Sequence, residues 1–361
     1  MSSKVLFAPL DFDAYEVEQT LPARFARLLG ESGLIGAVKD KTVAIKMHVG
    51  REVGFTTIHP LFVKILIDHL RSGNPKRIYI TDQEVASARA RGYTEEYLGV
   101  PILDACGLLS KYYYERAVSY DTFKNVDVAG YINDADFLVD LSHVKGHGCC
   151  GLGGAVKNIA MGCVTDRTRQ QIHMLQGGIS WDAAKCTHCE KCIASCNHHA
   201  NSFDENGVYS AEFHHCTFCQ HCVKVCPTGA ISLIEDQYKK FQVGMALCTQ
   251  SVLGTFEPGN AYYINFLTNI TAICDCWGMS TPSIVPDIGV LASSDIVAVE
   301  RATLDAIKVS DFIRQGAPAT AELGDTGHLF ERLHGKNPYI QLDELEKLGL
   351  GTQDYALEEV R

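Results

Sequence analysis

The stretch VAIKMHVGREVGFTTIHPLFVKILIDHLRSGNPKRIYITD, residues 43–82, decides the fold class. Its first six residues, Val43 to His48, form a short apolar run with a charged exit, the pattern of a strand buried on both faces of a parallel sheet. Thr56, Thr57 and Pro60 then open a helix, with Ile58, Leu61, Phe62, Ile65, Leu66 and Leu70 on its apolar side and Gly73 as its stop. Arg77 to Asp82 reads as the next strand. Strand, helix and strand in succession predict an α/β fold with a mostly parallel sheet. In such sheets ligands collect at the carboxyl ends of strands, where Lys46, His48 and Asp82 fall. At this level they are equally well strand-end residues facing solvent or helix caps.

Working outward, Ala135 to Leu141 is a further strand, and it runs into a loop dense in glycine and ionisable side chains from Ser142 to Cys163. A glycine-rich loop between a strand and a helix brings backbone N–H groups near a ligand, and a helix N-terminus favours an anion. Gly146, Gly148 and Gly151 spell G-x-G-x-x-G, but no acidic residue follows where a dinucleotide ribose would need one. No Lys-Ser/Thr pair follows the glycines either, which excludes a Walker A loop. The crowding of His143, Lys145, His147, Cys149, Cys150, Lys157, Cys163 and His173 points to a site rather than to packing alone. Tyr238 to Val252 reads as a helix with Cys248 as a core thiol, and Tyr262 to Leu267 as a strand. Then come Cys274-Asp275-Cys276 and Pro286-Asp287, followed by a helix to Ile307 capped by Ser294 or Asp295. A C-x-C pair can chelate a metal in a narrow bite or be a reduced, buried pair beside Trp277. Residues 318–361 read as a charged helical tail with a mobile end.

Between these flanks lies an internal repeat. Cys186, Cys189, Cys192 and Cys196 are followed at a constant offset of thirty by Cys216, Cys219, Cys222 and Cys226, each run being C-x2-C-x2-C-x3-C. Three thiolates two residues apart wrap one corner of a cubane, and the fourth cysteine of each run reaches the other cluster. The assignment is one [4Fe–4S] cluster on Cys186, Cys189, Cys192 and Cys226, and another on Cys216, Cys219, Cys222 and Cys196. Zinc needs only two C-x2-C hooks, so a third cysteine at the same spacing, twice over, is redundant for it. These residues resemble the bacterial two-[4Fe–4S] ferredoxin module. One departure is Asn197, which stands where the second run has Pro227. Nine of the fourteen histidines fall between residues 143 and 221, and several border cluster cysteines, as outer-shell or solvated groups rather than ligands. The expected organisation is residues 1–180 as the first part of an α/β domain, 181–236 as an inserted ferredoxin module, and 237–361 as the second part.

Composition narrows the functional classes. The 361 residues are 46% hydrophobic and carry a net charge of −11, which argues against a nucleic-acid partner. No run is long and apolar enough for a membrane span, and the N-terminus lacks the apolar block of a signal peptide. Fifteen cysteines in that setting imply a reducing, cytoplasmic location.

The flanking pieces look like a family of bacterial and archaeal iron–sulfur proteins known as a domain of unknown function. The likeness rests on Lys46, Lys145-Gly-His147, Lys157-Asn158 with Gly162, His173, Cys274 to Gly278, Pro286 to Gly289, and Ser293 to Ala298. The expectation is an iron–sulfur oxidoreductase, working in the reducing direction, that receives electrons from a redox partner protein and acts on an anionic small molecule. Lys46, Lys145 and Lys157 would hold the anion, and His143, His147 or His173 would move protons, with Asp287 in the same site. Cys149, Cys150, Cys163, Cys274 and Cys276 would line a place for a further metal or cofactor. The alternatives are an electron-transfer or redox-sensing adaptor without turnover, and a metallocofactor assembly protein.

Overall fold

In the computed structural model, residues 2–51, 53–196, 199–211, 220–234, 237–319 and 321–361 are described. Cys216 and Cys219 lie outside the described residues, as do Asn197, His198, His214 and His215. The opening stretch folds as its pattern dictates, with strands at Thr42–Met47 and Arg77–Asp82 and a helix at Pro60–Ser72 capped by Gly73.

These strands belong to a sheet of eight. They are β1 (Ser3–Pro9), β2 (Thr42–Met47), β3 (Arg77–Asp82), β4 (Ile102–Asp104), β5 (Phe137–His143), β6 (Ala261–Leu267), β7 (Gly289–Ser293) and β8 (Tyr355–Glu359). Their spatial order is β8-β1-β7-β6-β5-β2-β3-β4. Only β7 runs against its neighbours β1 and β6; every other pairing is parallel. The principal helices are α1 (Leu21–Glu31), α2 (Pro60–Ser72), α3 (Ala155–Gly162), α4 (Asp166–Met174), α5 (Tyr238–Leu253), α6 (Ile296–Ala306) and α7 (Ile340–Lys347).

Alternation along the strands sorts the helices onto two faces. Val43, Ile45 and Met47 join the core under α1 and α2, where Phe25, Phe62 and Phe266 meet edge to face at 5.0–6.0 Å. Ala44, Leu138 and Tyr263 point the other way, into the core built with α3, α5 and α6. Strand β5 lies two residues later than the sequence pattern implies. Asp136 is spent on its side chain, which accepts the Thr42 N–H at 2.7 Å, while Ser142 and His143 continue the ladder opposite Asn265 and Phe266.

The chain's last residues differ from a mobile helical tail. After α7 they become β8, parallel to β1 from Ser3↔Tyr355 to Phe7↔Glu359, with the Val360 N–H bonded to Phe7 O at 2.7 Å. Alternating hydrophobicity is weak in Tyr355–Glu359 because an edge strand that is largely exposed needs little apolar surface. Among the described residues no helix is long and apolar enough to cross a membrane.

Neighbouring strands β5 and β6 are joined by a long excursion. Within it, Ile179–Trp181 pairs antiparallel with Ile231–Leu233, and Asn201–Phe203 with Tyr209–Ala211. The excursion leaves and returns at one neck, where Ile234 N–H bonds Gly178 O at 2.9 Å and Gln237 N–H bonds Gln176 O at 3.1 Å. It has its own apolar cluster of Cys192, Tyr209, Cys222 and Ile231. The thirty-residue repeat is visible in its backbone. Glu190 and Gln220 both adopt left-handed conformations, φ 56° and 64°, ahead of the short helices Lys191–Ala194 and His221–Val225. Ala200 N–H and Ala230 N–H each donate to the sulfur of Cys196 and Cys226, both at 3.2 Å.

Because the neck closes on itself, replacing residues 178–235 with a short Gly/Ser linker is expected to leave a cooperatively folding α/β core. Far-UV circular dichroism of the deletion protein checks this; a chain without a cooperative melt would mean that the excursion is part of the main core.

Candidate functional site

Three parallel strands, β3, β2 and β5, deliver their carboxyl ends side by side, and α3 packs against β2 and β5. Lys46, at the end of β2, is only 1% exposed. Its Nζ donates to Asn158 Oδ1 at 2.6 Å and pairs with Asp82 Oδ1 at 3.0 Å. A buried ammonium persists only when such partners replace its water. The other oxygen of Asp82 meets His48 Nδ1 at 2.8 Å. Burial alone would raise the Asp82 pKa, but Lys46 and His48 hold it well below the usual carboxylate range. On the far side of Asn158, its amide donates to Asp140 Oδ1 at 2.7 Å, and Ser142 donates to Asp140 Oδ2 at 2.7 Å. Burial pushes Asp140 up to about 7, because its nearest partners, Ser142 and Asn158, are neutral.

The opposite wall rests on Asp275. His143 Nδ1 lies 2.8 Å and Lys145 Nζ 3.2 Å from its Oδ2. His143 Nε2 faces the carbonyls of Thr268 and Asn269 at 2.9 and 3.1 Å. Burial favours a neutral Asp275, yet His143 and Lys145 hold its carboxyl well below its ordinary range. Beside it, Lys157 Nζ is 3.3 Å from Cys274 Sγ. The bond from Cys276, aided by Lys157 and Lys145, pulls the Cys274 thiol far below its ordinary pKa. The two sulfurs and a ring nitrogen of His147 lie within 4.8 Å of one another, a candidate metal site. His147 Nδ1 accepts the Cys149 N–H at 3.2 Å, which places the neutral ring's proton on Nε2. Burial lowers the His147 pKa to about 3, so the ring is neutral at ordinary pH.

The N-terminus of α3 is not open to a ligand. Glu300 from α6 occupies it, accepting the Val156 N–H at 3.3 Å, and Gly154 leaves the space that this carboxylate fills. The glycine-rich loop therefore packs against an internal carboxylate. Part of it is a small hairpin, Lys145–His147 with Gly151–Gly153.

What remains open above the strand ends is a small cleft of about 40 Å³. Lys46, Arg51, Lys145, Lys157 and Arg169 line it with His48, against the acidic side chains of Asp82 and Glu84. Cys276 forms part of the wall. The excess of cations suits a small anion.

A family model described as Domain of unknown function (DUF362) matches residues 43–305, from β2 through most of α6. The chain belongs to the DUF362 family. No curated protein matches the sequence. Among solved structures, a Thermotoga maritima protein determined as a structural-genomics target is similar at 12% identity and a TM-score of 0.38, over 69% of this chain and 50% of that one. The lactate racemase apoprotein from Thermoanaerobacterium thermosaccharolyticum is similar at 11% identity and a TM-score of 0.34, over 74% of this chain and 51% of that one. The chain thus spans about half the length of each.

Within this DUF362 chain, Lys46, Lys145, Lys157 and Cys276 converge on the cleft, with Cys274 and His147 directly behind it. Cys150 packs behind His147, its thiol donating to Leu152 O at 3.1 Å. Cys149 is buried in the same turn. Cys163 is fully buried in the core under α3 and α5, its pKa pushed well up by burial. His173 packs on Phe241 at 4.9 Å and is not part of the cleft lining. Asp287 accepts the Asn269 N–H at 2.6 Å, an exposed turn contact. Nothing in the sequence marks Arg169 and Arg51 as site residues, and Asp275 lies in the Cys274–Asp287 segment of the candidate site without a role of its own. Asp275 hides between two cysteines that draw attention first, and the two arginines come from a polar helix and a loop with no motif.

Gly162 is close-packed against the Lys46 ammonium and Asp82. Gly162→Ala is expected to drive these apart and destabilise the fold by about 1–3 kcal/mol, the usual range for overpacking. Urea unfolding reads this directly. A second expectation concerns Asp140, whose pKa rises from 3.8 to about 7 on folding. The folded state then keeps a proton that the unfolded chain loses, so stability is complete below pH 3.8 and falls as pH rises through about 7. Asp140→Asn should flatten that decline, as measured by thermal midpoints across the interval.

Proposed function

We propose that this DUF362 chain is an iron–sulfur oxidoreductase acting on a small anionic substrate in the cleft. Residues 181–236 would hold two [4Fe–4S] clusters through Cys186, Cys189, Cys192 and Cys226, and through Cys216, Cys219, Cys222 and Cys196. When bound, the clusters supply single electrons, drawn from a redox partner protein. The residues described in that segment fit this group. Two amides already donate to the sulfurs of Cys196 and Cys226 in the manner that stabilises thiolate ligands, and the backbone around Cys192 repeats around Cys222.

One contact supports the reading most. His221, adjacent to Cys222, meets the indole of Trp277 edge-on, and Trp277 follows Cys276 in the cleft wall. The cysteine repeat and the cleft therefore touch through consecutive residues on each side. An adaptor without turnover needs no buried cationic cleft of this kind.

The chain's own residues divide the remaining work. Lys157 and Lys145 set a positive wall beside the thiols, and Arg169 and Arg51 extend it to the mouth. His143 is anchored at both ring nitrogens, so it orients Asp275. Burial lowers the His147 pKa to about 3, so it is too weak a base to take up a proton at ordinary pH.

Protein purified without oxygen is expected to contain about eight irons and eight acid-labile sulfides per chain. Cys276→Ser should keep that iron while slowing electron exchange between the reduced protein and an anionic acceptor. Zinc in place of iron, or a single cluster, would overturn the assignment.

A further inference from the structure

Proton delivery in the cleft still lacks a residue, and His48 has the geometry for it. It follows β2 directly and lines the cleft. Its Nδ1 is fixed by Asp82 Oδ2 at 2.8 Å, while Lys46 at 3.0 Å pins the other oxygen of the same carboxylate. An ionised Asp82 can only accept, so Nδ1 carries a proton, and the neutral ring presents Nε2 as a lone pair. Nε2 is buried and has no hydrogen-bond partner among the described residues. Such orphans in native structures call for a role or a ligand.

We propose that His48 is the proton-carrying catalytic residue of the cleft, with Asp82 as its positioning residue and Nε2 meeting an oxygen of a small carboxylate or phosphate substrate. This rests on the cleft being the substrate site, as in the reading above. Arg51, Lys145, Lys157 and Arg169 line the cleft together with His48, so an oxyanion held by them lies beside its ring. Neutral His48 would set a lone pair against the anion's oxygen. Protonated His48 donates an N–H to it instead, so binding takes up a proton. In a two-electron reduction the substrate gains two electrons from one-electron carriers and two protons. His48 gives one from Nε2 and regains it from solvent at the mouth, and solvent supplies the other.

Other charged groups around His48 must be separated from it. Lys46 and Asp82 come from the strand ends, Arg51 and Glu84 from the flanking loops, and Lys145, Lys157, Arg169 and Asp275 from the opposite wall and beneath. Asp140 and Glu300, both raised to about 7 by burial, titrate in the window of interest but lie behind Asn158 and α3.

The test is calorimetry of oxalate and of inorganic phosphate binding to the full chain, purified without oxygen, in buffers of different ionisation enthalpy. Wild-type protein is expected to bind with uptake of roughly one proton, and its affinity should fall about tenfold per pH unit on the alkaline side. His48→Gln should bind without that uptake, while Asp140→Asn keeps it. Failure of both anions to bind, uptake that persists in His48→Gln, or uptake lost in Asp140→Asn would each overturn the proposal. If His48→Gln does not fold, the wild type and Asp140→Asn still decide: no uptake in either sinks the idea, and equal uptake in both supports it. Iron content separates this from the oxidoreductase reading. Proton uptake by a chain that assembles no iron leaves His48 in place and removes the redox role, and full iron without uptake does the reverse.

Discussion

The buried ammonium of Lys46 is the constraint around which the rest is arranged. A charge 1% exposed at the end of a central strand cannot be left uncompensated, so Asp82 from the next strand and Asn158 from a crossing helix are both committed to it. Those commitments propagate. Asp82, once ionised, fixes His48; Asn158, once turned toward Lys46, offers its amide to Asp140. Strand order brings these groups together, because β3, β2 and β5 are neighbours with parallel ends.

Much of the scaffold was legible because burial on two faces leaves a plain signal. Val43 to Met47 and Arg77 to Asp82 are continuous apolar runs with polar ends, and each is a strand within a residue of where its pattern places it. Tyr238–Leu253 and the Asp295-capped helix were equally plain. The edge strand Tyr355–Glu359 was not, since exposure removes the alternation that reveals a strand. The site was partly legible. Lys46, Lys145 and Lys157 stand out as charges inside apolar or glycine-rich runs, and the structure unites them. Which partner neutralises which charge is a tertiary property. Nothing local indicates that Glu300 fills the start of α3, or that Asp275 anchors both His143 and Lys145.

The cysteine repeat and the sheet speak to each other through geometry rather than through sequence proximity. A segment entered and left at one neck can be accommodated between adjacent strands without disturbing the sheet, which is why β5 and β6 remain parallel partners across more than a hundred intervening residues. Its second point of contact, His221 on Trp277, gives the excursion a defined bearing relative to the cleft.

The seat of α3 has a further consequence. Apolar packing between a helix and a sheet is forgiving: a helix can creep by a fraction of a residue while its methyl groups find new neighbours. The underside of α3 is instead tied at Asn158 to Asp140 and Lys46, and at its start to Glu300. Directional bonds of this kind behave as a register lock, since any sliding breaks all of them at once and no shifted position restores them. The helix is thus a rigid bar seated on β2, β5 and β6, and the spacing between its two ends is set by the backbone rather than by the fill of the core beneath it.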